Sequence, residues 1–351
     1  MSKFDTVHYA GPINPSTILW EKALSKLLRV GGSRGDFYFF SKRRLDAIAR
    51  EVQCYCVSDA KLDFFQGITP WTLTTPKRPY IALSDCTFCD YIDIFHCRDY
   101  FRRDDLIRIE EAECAWLRNA RRVLFTSEWA AKRATQQYAL DSSRVTSVGI
   151  FGEIELPLHD TYAGGNAFAF VATNFEAKGG RTVLAAFREL RMRHTDANLI
   201  VVGEKPLDLL PEPGVEFAGF LRKEIPDEYA QYQHILGSVR AIVHPTRSDI
   251  APLIVIESGY LGCPAISTGR FAIPELIDDG RTGFLLNDPS DVKALVNAMC
   301  WMLEHDEEYH QMRQAVWNKT RLQHSKQQFE ERLLTFLKQD LLNSLGVIQV
   351  R

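Results

Sequence analysis

The stretch VRAIVHPTRSDIAPLIVIESGYLGCPAIS, residues 239–267, decides the fold. It opens with a short apolar run, 239–244, of the kind that makes a strand buried on both faces. A loop of turn formers follows, Pro245-Thr246-Arg247-Ser248-Asp249-Ile250-Ala251-Pro252. Pro252 suits the first position of a helix, and the apolar stretch 252–261 reads as that helix. After it, 264–267 reads as a second strand. A strand, a helix and a strand in immediate succession make a right-handed βαβ unit, which implies a parallel sheet.

The same alternation extends outward on both sides. Apolar strands are expected at 167–173, 198–203 (NLIVVG) and 215–219. Helices are expected at 180–193, 227–236, 274–278 and 291–305. This half is therefore read as a doubly wound parallel sheet. The first half is less regular but similar, with strands at 6–10, 36–40, 54–57, 80–83, 123–126 and 145–148 and helices at 16–28, 42–51, 104–117 and 128–138. Pro157, Gly164 and Gly165 break regular structure between the halves. The expected organisation is an N-terminal Rossmann-like domain at 1–158 and a second at 159–325. A C-terminal segment, 326–351, begins with an amphipathic helix that has no obvious partner strand. The two domains are expected to face a central cleft.

Length and composition agree with this organisation. The chain has 351 residues, enough for two cores, with 46% apolar and 25% charged side chains as in soluble proteins. No window approaches the apolar length of a membrane span, and the first residues lack the apolar run of a secretory signal, so a cytoplasmic location is expected. The net charge is −3, and it is unevenly spread. Residues 1–150 carry 22 basic against 18 acidic side chains, whereas the remainder is acidic overall. No nucleic-acid partner is expected. The basic, aromatic stretch Arg98-Asp-Tyr-Phe-Arg-Arg103 is read as a surface loop, with peripheral contact at the inner face of an anionic membrane as the sharper alternative. Of eight cysteines, six lie in the first third: Cys54, Cys56, Cys86, Cys89, Cys97 and Cys114. Cys86-Thr-Phe-Cys89 has no second CxxC to complete a zinc set, so buried free thiols are expected and no metal site.

Ligand groups in such folds come from loops that follow strands. Three stand out. Asn174-Phe-Glu-Ala-Lys178-Gly-Gly180 opens a helix, where glycines admit close backbone approach and Lys178 adds a positive charge. In the loop of the opening stretch, the amides of Leu253 and Ile254 begin a helix and are free for a phosphate, with Arg247 nearby in sequence. Asp249 precedes that helix and Glu257 lies within it, so two carboxylates suit the hydroxyl pairs of a sugar and a ribose. The third loop is Gly269-Arg-Phe-Ala-Ile-Pro-Glu275, followed by Asp279-Gly-Arg-Thr-Gly283. In the first half, Asp85 ends the strand-like run 80–83 and is a candidate cleft residue.

Four ordered matches then carry a resemblance: Asp249-Ile-Ala-Pro-Leu-Ile-Val-Ile-Glu257, Gly262-Cys-Pro-Ala-Ile266, Pro274-Glu275 and Asp279-Gly-Arg-Thr-Gly283. Over about 167–303 the chain resembles the family 4 retaining glycosyltransferases, which have the GT-B fold of two Rossmann-like domains; the resemblance implies that the last helix, in 326–351, returns to pack on the first domain. Ser127-Glu128-Trp129 is also similar to members of that family. The resemblance implies transfer of a sugar from a UDP- or GDP-sugar donor to an acceptor hydroxyl, in glycan or glycolipid synthesis, without a bound cofactor or metal. The acceptor would be a glycan, a lipid-linked sugar or a small molecule. Lys178 would hold the diphosphate with the Leu253 and Ile254 amides, Asp249 would touch the transferred sugar and Glu257 the ribose. The sequence departs from the family at Asp249, where glutamate is usual, and at Thr173, where an arginine is frequent. Arg247 or Arg270 would then supply the missing phosphate contact. Gly11-Pro12 occupies the region of the family's Gly-Gly loop. These departures motivate the alternative of a degenerate GT-B chain that binds a nucleotide or a partner without catalysis.

Overall fold

The computed structural model describes residues 7–16, 18–30, 34–55 and 60–344. They form two α/β units, Met1–Gly149 with Glu330–Arg351 and Ile150–Phe329. The second unit has six parallel strands: β5 (Ala167–Ala172), β6 (Asn198–Gly203), β7 (Val215–Gly219), β8 (Ala241–His244), β9 (Ala265–Thr268) and β10 (Gly283–Leu286). The first unit has β1 (Asp63–Gln66), β2 (Tyr80–Ser84), β3 (Arg122–Phe125) and β4 (Val145–Ser147).

In the second unit the strand order is β10-β9-β8-β5-β6-β7, all parallel. The chain starts in the middle at β5, builds outward to β7, then returns to β8 and builds the other way. The order therefore reverses between β5 and β8, which opens a crevice at their carboxyl ends. Alternation along β5 explains why both faces are apolar. Phe168, Phe170 and Ala172 join one core with α6 (Gly180–Arg191) and α10 (Val292–Glu304). Ala169 joins the other with α7 (Pro226–Ser238), α8 (Leu253–Tyr260) and α9 (Ile273–Leu276). Gly203 ends β6 at φ 113, where a Cβ would collide with Ala172 O, so only glycine lets the two strand ends lie this close.

Capping side chains set several helix starts. Asp291 accepts from the Ala294 amide at 2.9 Å, at the start of α10. Ser127 accepts from the Ala130 amide at 3.1 Å, at the start of α5 (Glu128–Tyr138). A helix not anticipated from sequence, α11 (Asp306–Gln323), buries Tyr309, Met312, Val316 and Thr320 at helical spacing. Its buried Arg313 is held by Asp160 and donates to Leu261 O at 2.9 Å.

The first sheet is parallel as expected, but its four described strands run in chain order, β1-β2-β3-β4, with no reversal. Around it lie α1 (Leu19–Val30), α2 (Lys42–Cys54), α3 (Phe88–Phe95), α4 (Arg103–Asn119), α5 and the distal part of α12 (Lys326–Ser344). Asp340 of α12 is buried and pairs with Arg121 at 3.3 Å and Arg122 at 2.5 Å.

Several expectations for this unit are overturned. Residues 36–40 are not a strand; Tyr38–Phe40 is a 3₁₀ turn. Phe37 and Phe40 are buried while Phe39 is exposed, so burial recurs every three residues, and the Phe37 amide donates to Asp105 at 2.7 Å instead of to a neighbouring strand. The strand expected at 54–57 fails at its start because α2 continues through Cys54; Cys56 and Val57 lie outside the described residues. The strand in this region is instead β1, which was not anticipated from sequence. Residues 7–10 hold no regular structure, and Thr6 lies outside the described residues. The thiols are not uniformly buried: Cys86, Cys263 and Cys300 are, but Cys54 and Cys97 are exposed. Within 98–103, Phe101 is buried and Arg98 pairs with Glu110 at 2.8 Å, leaving Tyr100, Arg102 and Arg103 outward.

Glu113 of α4 is fully buried between three donors. The Thr69 hydroxyl donates to it at 2.6 Å, the Phe88 amide at 2.6 Å and the Tyr138 hydroxyl at 3.1 Å. Burial pushes its pKa up to about 7 although the three hydrogen bonds oppose the shift. The folded carboxyl therefore holds its proton more tightly than the unfolded one. Stability should fall as pH rises from about 4.5 to about 7, by of order 3 kcal/mol from this group. Glu113→Gln, unable to ionise, should flatten that part of the stability profile in urea titrations run across this window. An equal slope in the variant would remove Glu113 as the source.

Candidate active site

The loops after β5 and β8, on either side of the strand-order reversal, are tied to each other. The Arg247 amide donates to Ala177 O at 3.2 Å. Gly179, at φ 84, caps α6, and a Cβ there would strike Pro245 O. Asn174 accepts from the Ala177 amide at 2.9 Å and shapes the turn that carries Lys178.

On this scaffold Lys178 and Asp249 form an ion pair, with the Lys178 ammonium also 3.4 Å from Ser248 O. The other Asp249 oxygen meets His244 Nε2 at 2.8 Å. His244 is the last residue of β8 and is buried, and its Nδ1 has no hydrogen-bond partner among the described residues. Burial works to raise the Asp249 pKa, but the His244 hydrogen bond and the charges of His244 and Lys178 outweigh it, so the carboxyl lies below its ordinary value. It is ionised at neutral pH.

Helix α8 starts just beyond Asp249. The structure places Pro252 as its N-cap and Leu253 as its first helical residue. The first helical bond comes from the Val255 amide, to Pro252 O at 3.1 Å, so the Leu253 and Ile254 amides precede it. Arg247 is exposed and donates to Ser290 Oγ at 3.0 Å. Four elements of the sequence-derived site are thus brought together: Lys178, Arg247, Asp249 and the α8 amino end. The third loop is joined to them by the Ala272 amide, which donates to Ile250 O at 3.1 Å. In that loop Phe271 holds φ 55, a left-handed backbone that costs a bulky residue about 1–3 kcal/mol.

Glu257 sits farther along α8 and is 1% exposed. Lys223 donates to its Oε1 at 2.6 Å, the Glu153 amide donates to the same oxygen at 2.9 Å, and the Tyr232 hydroxyl donates to Oε2 at 2.6 Å. Burial, then the adjacent Glu257 charge, pushes the Tyr232 phenol far up, so it remains a donor. Gly152 admits this arrangement, because a Cβ there would meet Glu257 and Tyr260.

His244, Lys223, Tyr232 and the Glu153 amide were missed from sequence. His244 carried one signal: it is a polar residue closing an apolar strand at its carboxyl end. Lys223 and Tyr232 carried none. Asp85 lies in the first unit, exposed at the carboxyl end of β2, and receives a 3.4 Å hydrogen bond from Ser84 Oγ. With no strand-order reversal in that sheet, topology does not single it out. The described residues also include a His194, Cys300 and Glu304 group close enough to share a cation, with His194 Nε2 3.1 Å from Glu304. It sits where α6 and α10 end, and therefore toward the amino ends of the strands, opposite these loops.

Known proteins share this architecture. A D-inositol 3-phosphate glycosyltransferase from Corynebacterium kroppenstedtii is 24% identical over 163 residues, 42% of this chain and 34% of that protein. A lipopolysaccharide 1,2-N-acetylglucosaminetransferase from Salmonella typhimurium is 27% identical over 176 residues, 44% of this chain and 45% of that protein. The chain therefore spans less than half the length of either curated relative. The crystal structure of Anabaena HepE in complex with UDP superimposes with a TM-score of 0.63 at 14% identity, covering 90% of this chain and 89% of that one. This fold is that of the GT-B glycosyltransferases. Residues 158–318, which hold Lys178, Asp249, Glu257 and both loops, match the family model described as Glycosyl transferases group 1.

Proposed function

We propose that the second unit binds a nucleotide-sugar and that the chain is a retaining glycosyltransferase of the family 4 type, acting in glycan or glycolipid synthesis. The observation that carries this reading is the meeting of Lys178, Asp249 and the amino end of α8 at the β5–β8 reversal. A diphosphate there finds an ammonium, two backbone amides and a helix dipole of the right sign. A donor would draw the Lys178 ammonium from Asp249 to its phosphates, and His244 would keep Asp249 in place to accept from a sugar hydroxyl. Transfer breaks the bond from C1 to the diphosphate oxygen and forms one from C1 to the acceptor oxygen. The acceptor proton leaves with the diphosphate, whose growing charge Lys178 and the amides offset.

Glu257 accepts three donors and has room for one more. A ribose hydroxyl would take that place or displace the Lys223 ammonium, which is 29% exposed. Asp85 is proposed as the first unit's carboxylate toward the acceptor. The donor is a UDP- or GDP-sugar, the acceptor a glycan, a lipid-linked sugar or a small molecule.

The test is thermal stabilisation by UDP, GDP, ADP and their sugars. Binding at a hundredfold excess over Kd should add about 2.7 kcal/mol. A saturable shift with one base identifies the donor, and release of free nucleotide from it establishes turnover. The tight pairing of Lys178 with Asp249 favours a second reading, a chain that binds without catalysis. A shift without nucleotide release would select that reading, and no shift with any nucleotide would end the donor proposal.

A further inference from the structure

Helix α1 is amphipathic with its polar side inward. Ser25 is buried and its hydroxyl donates to Asp36 O at 2.7 Å, while Glu21 accepts from Ser41 Oγ at 3.0 Å. These bonds fasten the helix to the segment 36–41 by its hydrophilic edge. Leu19, Trp20, Leu24, Leu27 and Leu28 face outward, between 37% and 80% exposed, with Ala23 among them. At about 100° per residue these six positions fill roughly half the helix circumference. An ordinary surface helix does the reverse, burying its leucines and exposing its polar groups.

The chemistry around this face selects its occupant. Residues 19–50 hold eight Lys and Arg against three acids. Glu21 accepts from Ser41, a hydroxyl that cancels no charge, Asp36 pairs with Arg102 at 3.0 Å and Arg34 with Asp99 at 3.4 Å, and Arg44 is buried, so the positive surround rests on Lys22, Lys26, Lys42 and Arg43. Lys22 and Lys26 lie along one rim of the apolar arc, and Trp20 and Leu27 lie at its centre. Ser41 opens α2, whose first residues Lys42 and Arg43 are exposed, and Phe39 beside them is outward as well. A partner helix takes a narrower apolar stripe than this. A broad leucine arc with a central tryptophan, lysines on the rim and a net positive surround fits the boundary between anionic headgroups and acyl chains.

We propose that α1 docks the first unit on an anionic lipid surface, lying in the plane of the interface with Trp20, Leu24 and Leu27 inserted. At 12 residues α1 is too short to cross a bilayer, which fits a helix lying in the interface. The inference does not rest on sugar transfer: it concerns a different unit and stands or falls separately from nucleotide binding.

The experiment is flotation of the full chain with vesicles of equimolar phosphatidylcholine and phosphatidylglycerol, and with vesicles of phosphatidylcholine alone. Wild-type protein should float with the anionic vesicles, less so in high salt, and with a blue-shifted emission component that Trp20→Phe removes. Leu24→Glu with Leu27→Glu should lower vesicle-bound protein by at least about tenfold. Both sites are exposed, so circular dichroism and the nucleotide-induced thermal shift should not change. Lys26→Glu should weaken binding to the anionic vesicles in particular. Failure of wild-type protein to float, or flotation that the double variant retains, would overturn the proposal. So would a lipid-free dimer in sedimentation that the double variant splits, since the face would then be an interface between two copies.

Discussion

Lys178→Ala is expected to lower kcat by about 10²–10³-fold with little loss of stability, if the chain transfers sugar as proposed. The magnitude is that of removing one preorganised donor from a developing oxyanion. Lys178 is paired with Asp249 and lies 3.4 Å from Ser248 O, in the loop that leads into α8, so a donor's phosphates need only draw its ammonium off Asp249. Stability should change little because Asp249 keeps His244 when the ammonium is gone. A single-turnover assay with the donor fixed by thermal shift separates the cases. Wild-type kcat with a raised KM would mean that Lys178 binds donor and transition state equally. Wild-type values of both would remove it from the site.

Substituting Glu257 should show two effects at once, and the choice of side chain divides them. Alanine would strand the Lys223 ammonium, the Tyr232 hydroxyl and the Glu153 amide around a buried void. Removing one partner of a buried ion pair costs about 3–5 kcal/mol, so Glu257→Ala should be strongly destabilised and say little about function. Glu257→Gln keeps the shape and an acceptor oxygen while losing the charge. If the carboxylate meets a ribose, the glutamine variant should fold yet bind nucleotide about 1–3 kcal/mol more weakly, roughly five- to 150-fold. Unchanged affinity in folded Glu257→Gln would return Glu257 to a purely structural role, that of fastening α7 and the 152–153 segment to α8.

Glycine and proline punctuation and continuous apolar runs make the second unit legible in the amino-acid sequence. Asn198–Gly203 and Val215–Gly219 fall where the pattern places them, as does Glu128–Tyr138 in the first unit. The same signals mislead at 36–40, where five residues rich in aromatics look like a strand. Phe37 and Phe40 are drawn into a core with Phe88 and Phe101 from distant segments, and that packing imposes a turn.

The sequence alone determined which loops follow which strands, and with them the positions of Lys178, Asp249 and Glu257 along the chain. Periodicity, turn chemistry and helix starts are properties of neighbouring residues, so they can be read locally. Only the tertiary structure decided what each of those groups touches. The β5–β8 reversal sets two loops 70 residues apart side by side, and Glu257 is paired with a lysine 34 residues away and hydrogen-bonded by a tyrosine 25 residues away. The inverted face of α1 has the same origin. Its sequence shows only a helix, and the bonds of Ser25 and Glu21 to the 36–41 segment are what turn the apolar side outward. Burial belongs to the packed chain as a whole, and a buried charge takes whichever donors the packing brings to it.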